Sequence, residues 1–212
     1  MKTYAFIDAS NLFYGGEKSL GWKIDYRKLL KYIKKQYGVS KAYYYGGVEL
    51  YGFVYSPLDN KPIDLLGLLQ HLTHKTKENE YFLKQVNRVK FYLKLKEFGY
   101  RLVLKPVKTY KQGKKITKKA NCDVDMTFDM MRYLSEYGDA LVMTGDGDFL
   151  PVIQHLRKVG KKVTILARGE RTAKEIRQFA GGDFRDFVRL EGELRYEKDK
   201  KRSGHTKYPL HV

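Results

Sequence analysis

The chain has one cysteine, Cys122, among its 212 residues, so no disulfide can form within it and a cross-linked secreted scaffold is excluded. No stretch approaches the roughly 20 consecutive apolar residues of a membrane span. The first residues, MKTYAFIDAS, lack the apolar run of a signal peptide. These absences predict a soluble, cytoplasmic protein. Acids are also scarce, with 24 Asp and Glu against 42 Lys and Arg, a formal charge of +18. A field of that sign attracts polyanions, nucleic acid first among them. The total alone fits a merely solubilising surface equally well, so the distribution must decide.

The charges are segregated. Between Lys75 and Lys119 fifteen cations face three acids, whereas between Ala120 and Leu150 seven acids face the single cation Arg132. Carboxylates gathered beside a phosphate-attracting surface repel the substrate that surface collects, unless divalent cations sit between them. With 42% hydrophobic residues the chain can bury a sizeable core.

Apolar runs alternate with helical patterns. Strands are predicted at 2–7, 41–48, 101–107, 140–144, 162–167 and 184–190. Helices are predicted at 25–37 behind Asp25, at 81–98 before Gly99, at 123–137 before Gly138, at 149–159 and at 172–179. Residues 108–120 read as a loop or hairpin. Strands alternating with helices imply an α/β fold, a parallel sheet with helices on both faces. The Tyr43–Tyr44–Tyr45 run reads as sheet packing ahead of base stacking. One domain is expected over 1–192, with a helical, basic insertion around 51–98, and a flexible polar tail over 193–212.

In such a sheet, functional sites form outside the carboxyl ends of the strands. Asp8 ends the first strand in FIDASN, and Asp146 and Asp148 follow another in TGDGDF. Asp123 opens the helix after the basic segment, and a crossover helix starts at that same edge. Helical phase separates it from its neighbours: Asp123 aligns with Met126, Thr127 and Met130, whereas Asp125, Asp129, Arg132 and Glu136 share another stripe. Asp125 and Asp129 therefore read as a solvated face. Asp123 alone reads as a helix cap, and Asn11 as a cap or a support for Asp8. TGDGDF is no dinucleotide fingerprint, since Leu150 stands where the last glycine belongs. It is no EF-hand, because Arg157 occupies the position of the bidentate glutamate. A dehalogenase-type phosphatase is disfavoured by Phe149 and Leu150 after the second Asp.

FIDASNL, KANCDVDMTFDMM and LVMTGDGDFLPVIQHLRKVGKKVTIL, in that order, resemble the NYN domains of the LabA-like group in the PIN-like nuclease superfamily. The resemblance covers most of residues 3–190. It implies a Rossmann-like sheet and a Mg²⁺- or Mn²⁺-dependent ribonuclease. The family's acidic positions fall on Asp8, Asp123, Asp146 and Asp148, and Asp129 matches a recurrent acid. A carboxylate cluster without a His or Cys pair suits Mg²⁺ or Mn²⁺ better than zinc. Lys105, Lys108, Lys111, Lys114, Lys115, Lys118 and Lys119 lead into Asp123 and are expected to hold RNA, single-stranded before double-stranded. An RNA-binding or interaction module with little turnover is the alternative reading, and DNA the alternative substrate.

Overall fold

Alternation along the first strand supplies both faces of the sheet. In β1 (Thr3–Asp8) of the computed structural model, Tyr4 and Phe6 point to one side and Ala5 and Ile7 to the other, all four fully buried. The structure describes residues 1–13, 18–59, 61–76, 79, 81–112 and 115–197, with side chains omitted at 111, 112, 115 and 116. After β1 come two single turns, α1 (Ala9–Asn11) and α2 (Lys18–Leu20), then α3 (Tyr26–Tyr37) and β2 (Val39–Val48). Helices α4 (Leu65–Thr76) and α5 (Tyr81–Phe98) lead to β3 (Arg101–Pro106) and an antiparallel hairpin, β4 (Lys108–Gln112) and β5 (Lys115–Lys119). The second half runs α6 (Asp123–Arg132), β6 (Asp139–Met143), α7 (Leu150–Lys158), β7 (Lys162–Ala167), α8 (Lys174–Ala180), β8 (Phe184–Asp186) and α9 (Glu191–Leu194).

The six-stranded sheet has the order β3-β2-β1-β6-β7-β8, with every neighbouring pair parallel. The chain winds outward from β1 through β2 to β3, returns, and winds the opposite way through β6 to β8. The direction reverses between β1 and β6, the position where doubly wound sheets open a crevice. One core packs α3, α4, α5 and α9 against Ala5, Ile7 and Tyr44; the other packs α6, α7 and α8 against Tyr4, Phe6, Tyr43 and Tyr45. The tyrosine run is thus sheet packing. Each large apolar side chain buried this way contributes about 1.5–3 kcal/mol.

The expected cap of α3 is present, with Asp25 accepting from the amides of Arg27 and Lys28. Two expected boundaries, of α6 and of the last strand, need correction, and two further features are added. Helix α4 carries no clear signal in the sequence, because its LLGLLQHLTHKT has a glycine and no polar alternation to mark a solvated face; Leu65, Leu68 and Leu72 are its buried stripe. Helix α6 stops at Arg132 rather than Tyr137, since the Tyr137 hydroxyl donates to the Met130 carbonyl at 2.8 Å and Tyr133 stacks on Tyr43 instead of continuing the helix. The last strand ends at Asp186, whose carboxylate accepts from Val188 N and starts a turn. The polar tail is docked at its start: Leu194 is buried, its carbonyl accepts from Asp25 N at 2.8 Å, and Tyr196 N donates to the Lys23 carbonyl. Residues 198–212 lie outside the described residues.

The segment expected as an insertion is built into the sheet. Helix α5 is the crossover between β2 and β3, and α4 packs along it. Gly47 allows the hairpin to close over β2, since a Cβ there would stand 2.5 Å from Ala120 Cβ.

Candidate active site

The geometry of the crevice starts with Asp8, the last residue of β1. Its Oδ1 accepts from Ser10 N at 2.9 Å, Ser10 Oγ at 2.7 Å and Asn11 N at 3.2 Å, so the aspartate itself caps α1. Asn11 contributes its backbone amide to that cap. Across the switch point, Thr144 at the end of β6 donates from Oγ1 to Asp8 Oδ2 at 3.3 Å. Thr144 Oγ1 also accepts from Asp146 N at 3.2 Å, and Asp146 Oδ1 accepts from Asp148 N at 3.0 Å. A chain of hydrogen bonds therefore ties FIDASN to TGDGDF.

Asp123 enters from the opposite wall as the first residue of α6. Its carboxylate caps nothing: the Asn121 side chain accepts from Asp123 N at 2.9 Å, and no described residue donates to the Asp123 carboxylate. Burial, followed by the negative charges of Asp8, Asp146 and Asp148, raises the Asp123 carboxyl above its ordinary range, against the pull of Lys119. Four carboxylates thus share one electrostatic environment short of positive charge. Among the described residues no three His, Cys, Asp or Glu side chains converge closely enough to cage an ion. The donor set nevertheless fits Mg²⁺ or Mn²⁺, which prefer carboxylate oxygen and retain several waters, so one or two direct ligands suffice.

The remaining acids separate. Asp125 faces outward and pairs with Lys105 at 2.6 Å. Asp129, a solvated-face residue by helical phase alone but raised to a possible supporting residue by the resemblance, is buried at 5% exposure, where Tyr45 OH donates at 3.0 Å and Arg132 pairs at 2.9 Å. It follows Met126 by three residues and adjoins Met130, so it borders the buried stripe of α6. Its contacts are structural. The Glu136 of the same expected stripe lies beyond the helix, bonded to Tyr4 and Lys41. Burial pushes the Cys122 thiol up to about 12, so it stays a thiol at neutral pH.

The basic segment forms an arm beside Asp123. Register pairs Lys108 with Lys119 and Tyr110 with Thr117, which places these four on one face of the hairpin. All four are exposed. Lys118 lies on the other face, paired with Glu49 and bonded to Tyr81 OH at 3.1 Å, so it docks the hairpin and is not free for RNA. Lys105 is likewise engaged by Asp125. Lys111 and Lys115 lie in the two strands with side chains outside the described set, and Lys114 lies outside the described residues.

Sequence reasoning misses Thr144, Tyr110 and Glu175. The Glu175 carboxylate stands against Gly147, where a Cβ would meet Oε1 at 2.5 Å, so a fifth acid adjoins the TGDGDF loop. Only the hydroxyl directly after a strand hints at Thr144; nothing near Glu175 signals its position.

Comparison with known proteins bears on the family and the fold. The NYN domain model matches residues 2–191. The low amplitude and bright protein LabA of Synechococcus elongatus is 25% identical over 193 residues, covering 86% of this chain and 85% of that one. A crystal structure of a protein of unknown function from Vibrio parahaemolyticus superposes with a TM-score of 0.55 at 19% identity, covering 84% and 88% of the two chains, and so supports the fold. The chain belongs to the NYN domain family of PIN-like nucleases.

Proposed function

We propose that this chain is a Mg²⁺- or Mn²⁺-dependent endoribonuclease that cleaves single-stranded RNA at the carboxyl edge of its sheet. The observation that carries the reading is the hydrogen-bonded link from Asp8 through Thr144 to Asp146 and Asp148 at one sheet edge, facing an Asp123 carboxylate to which no described residue donates and which burial, then those three charges, raises. Such a group calls for a cation. Asp8 and Asp146 would hold the ion directly, and Asp123 and Asp148 would complete its shell or orient its waters. When bound, the ion supplies a water of lowered pKa and neutralises the scissile phosphate.

The chain's own residues do the rest. Ser10, Asn11 and Thr144 fix both oxygens of Asp8, so little reorganisation is needed on binding. Lys108 and Lys119 attract phosphates along the hairpin. Tyr110, 52% exposed beside them on the same face, offers a surface on which an unpaired base can stack. Stacking on an open ribbon favours a single strand over a duplex, whose bases are already stacked. The cytoplasm is the inferred setting, supported by the single cysteine; no helix among the described residues is long and apolar enough to cross a membrane.

The test is cleavage of matched single- and double-stranded RNA and DNA with Mn²⁺, with Mg²⁺ and with chelator. Internal cuts in single-stranded RNA that stop with chelator support the reading. Tight RNA binding without turnover under any metal would replace it with a binding module, and preferential DNA cutting would change the substrate.

A further inference from the structure

Three arginines among the described residues are withdrawn from full exposure: Arg88, Arg157 and Arg168. Arg157 pairs with Asp183 at 3.0 Å, and Arg168 with Glu170 at 2.7 Å and Asp186 at 3.4 Å. Arg88 pairs with no carboxylate among the described residues. Its one hydrogen bond to them runs from Nε to Tyr92 OH at 3.3 Å, and its terminal nitrogens are neither bonded to them nor sealed from solvent. Glu49 acts on Arg88 only at longer range, and a half-buried cation with no contact ion pair among the described residues has capacity left for an anion.

The position of Arg88 is the carboxyl end of β2, next to β1. Tyr92 OH donates to the Gly47 carbonyl at 2.7 Å, beyond the level where Asp8 pairs with Tyr45. A point above Gly46 is flanked by Tyr92 OH at 3.4 Å and by Ala9 Cβ at 3.3 Å, and Ala9 directly follows Asp8. Helix α5 runs toward β3, antiparallel to the strands, so Arg88, one turn before Tyr92, stands about 5 Å further past the carboxyl edge. Glu49, whose charge reaches Arg88 without an ion-pair contact, is bonded to Lys118 and Tyr51. A guanidinium fork whose terminal nitrogens reach solvent beside the Tyr92 hydroxyl is shaped for phosphate oxygens, which it can grip with two parallel bonds.

We propose that Arg88 binds a phosphate of the substrate strand on the α5 side of Asp8, with Tyr92 as its positioning residue. This rests on the ribonuclease reading and adds a role for the crossover helix. The contact partner that Arg88 lacks among the described residues is then supplied by RNA.

The experiment measures binding of a short single-stranded RNA across a salt series with chelator present, alongside cleavage with Mn²⁺. Wild type, Arg88→Gln, Arg88→Lys, Tyr92→Phe and the Arg88→Gln/Tyr92→Phe double variant are compared. Arg88→Gln should weaken binding roughly 10- to 100-fold, the range for a hydrogen bond to a charged group, and flatten the salt slope by about 0.7. Arg88→Lys keeps the charge and the slope but loses the fork and part of the affinity. Tyr92→Phe should weaken binding when Arg88 is present and add nothing in Arg88→Gln, whereas a purely structural tyrosine would act equally in both. Wild-type affinity and slope in folded Arg88→Gln overturn the proposal, even while wild-type cleavage leaves the nuclease reading standing. Conversely, a wild type that binds RNA without cutting it fails the nuclease reading, yet the binding loss in Arg88→Gln still supports the phosphate contact. Should Arg88→Gln not fold, an Arg88→Lys protein binding as tightly as wild type overturns the fork.

Discussion

The Thr144 hydroxyl donates to Asp8 Oδ2 across 3.3 Å, joining the ends of two strands that are 136 residues apart in the chain. Thr144 Oγ1 also accepts from Asp146 N, so one buried hydroxyl sets the spacing of two candidate metal ligands. Thr144→Val keeps the shape and removes both bonds. The expected outcome is a loss of about 1–3 kcal/mol, from polar groups left unmatched, and a fall in cleavage of at least roughly tenfold as the acids lose alignment. Thr144→Ser should recover most of both, read by thermal unfolding and by kcat/KM.

We predict that Asp129 acts through the scaffold rather than as a metal ligand. It is buried beneath Tyr45 OH and Arg132, so Tyr45→Phe or Asp129→Asn should cost about 1–3 kcal/mol in urea unfolding. Mn²⁺ affinity should stay within about twofold of wild type for both. A loss of metal binding with unchanged stability would return Asp129 to the site.

The raised Asp123 carboxyl links stability to pH. A carboxyl whose pKa is higher folded than unfolded contributes stability that is complete below the ordinary carboxylate range and disappears as pH rises through its folded value. In chelator at pH 7, Asp123→Asn should therefore melt above wild type, and the gap should close as the pH falls through that window. Saturating Mn²⁺ should reverse the order, because only the wild type gains from the ion. A gap that does not vary with pH would show that Asp123 is not strained by its neighbours.

Much of this is legible in the sequence, and the exceptions have physical causes. Asp8, Asp146 and Asp148 stand out because acids directly after apolar strands mark a sheet edge, and Asp123 because Met126 and Met130 fix the inward face of its helix. Asp129 escapes such reasoning because a carboxylate on the border of a buried stripe is placed by its partner, and Tyr45 lies 84 residues away. Lys118 counts as one more cation in the sequence, but register turns it to the face of the hairpin that meets Glu49. Arg88 resembles part of a solvated helix face; only the packing of α5 reveals that it is half-buried with no ion pair among the described residues.

The arm should read out in salt dependence. Neutralising Lys108 and Lys119 together should flatten the slope of RNA binding by roughly 1.4, about 0.7 for each single-strand phosphate that is no longer neutralised. Lys105→Gln should change it far less, since Asp125 already holds that charge. Tyr110→Ala should cost about 1–3 kcal/mol of binding to unpaired RNA and leave the slope unchanged, because stacking releases no counter-ions.

The central claim is that aspartates from three separate segments hold one divalent-metal site, and Mn²⁺ titration by calorimetry tests it most directly. Wild type and Asp125→Asn should bind Mn²⁺ alike, since Asp125 only pairs with Lys105. Asp8→Asn, Asp123→Asn and Asp146→Asn should each lose at least roughly tenfold in affinity while keeping wild-type circular dichroism, because each removes a charge from the shared shell. A wild type that takes up no Mn²⁺, or an Asp146→Asn protein that binds it unchanged, would contradict the account.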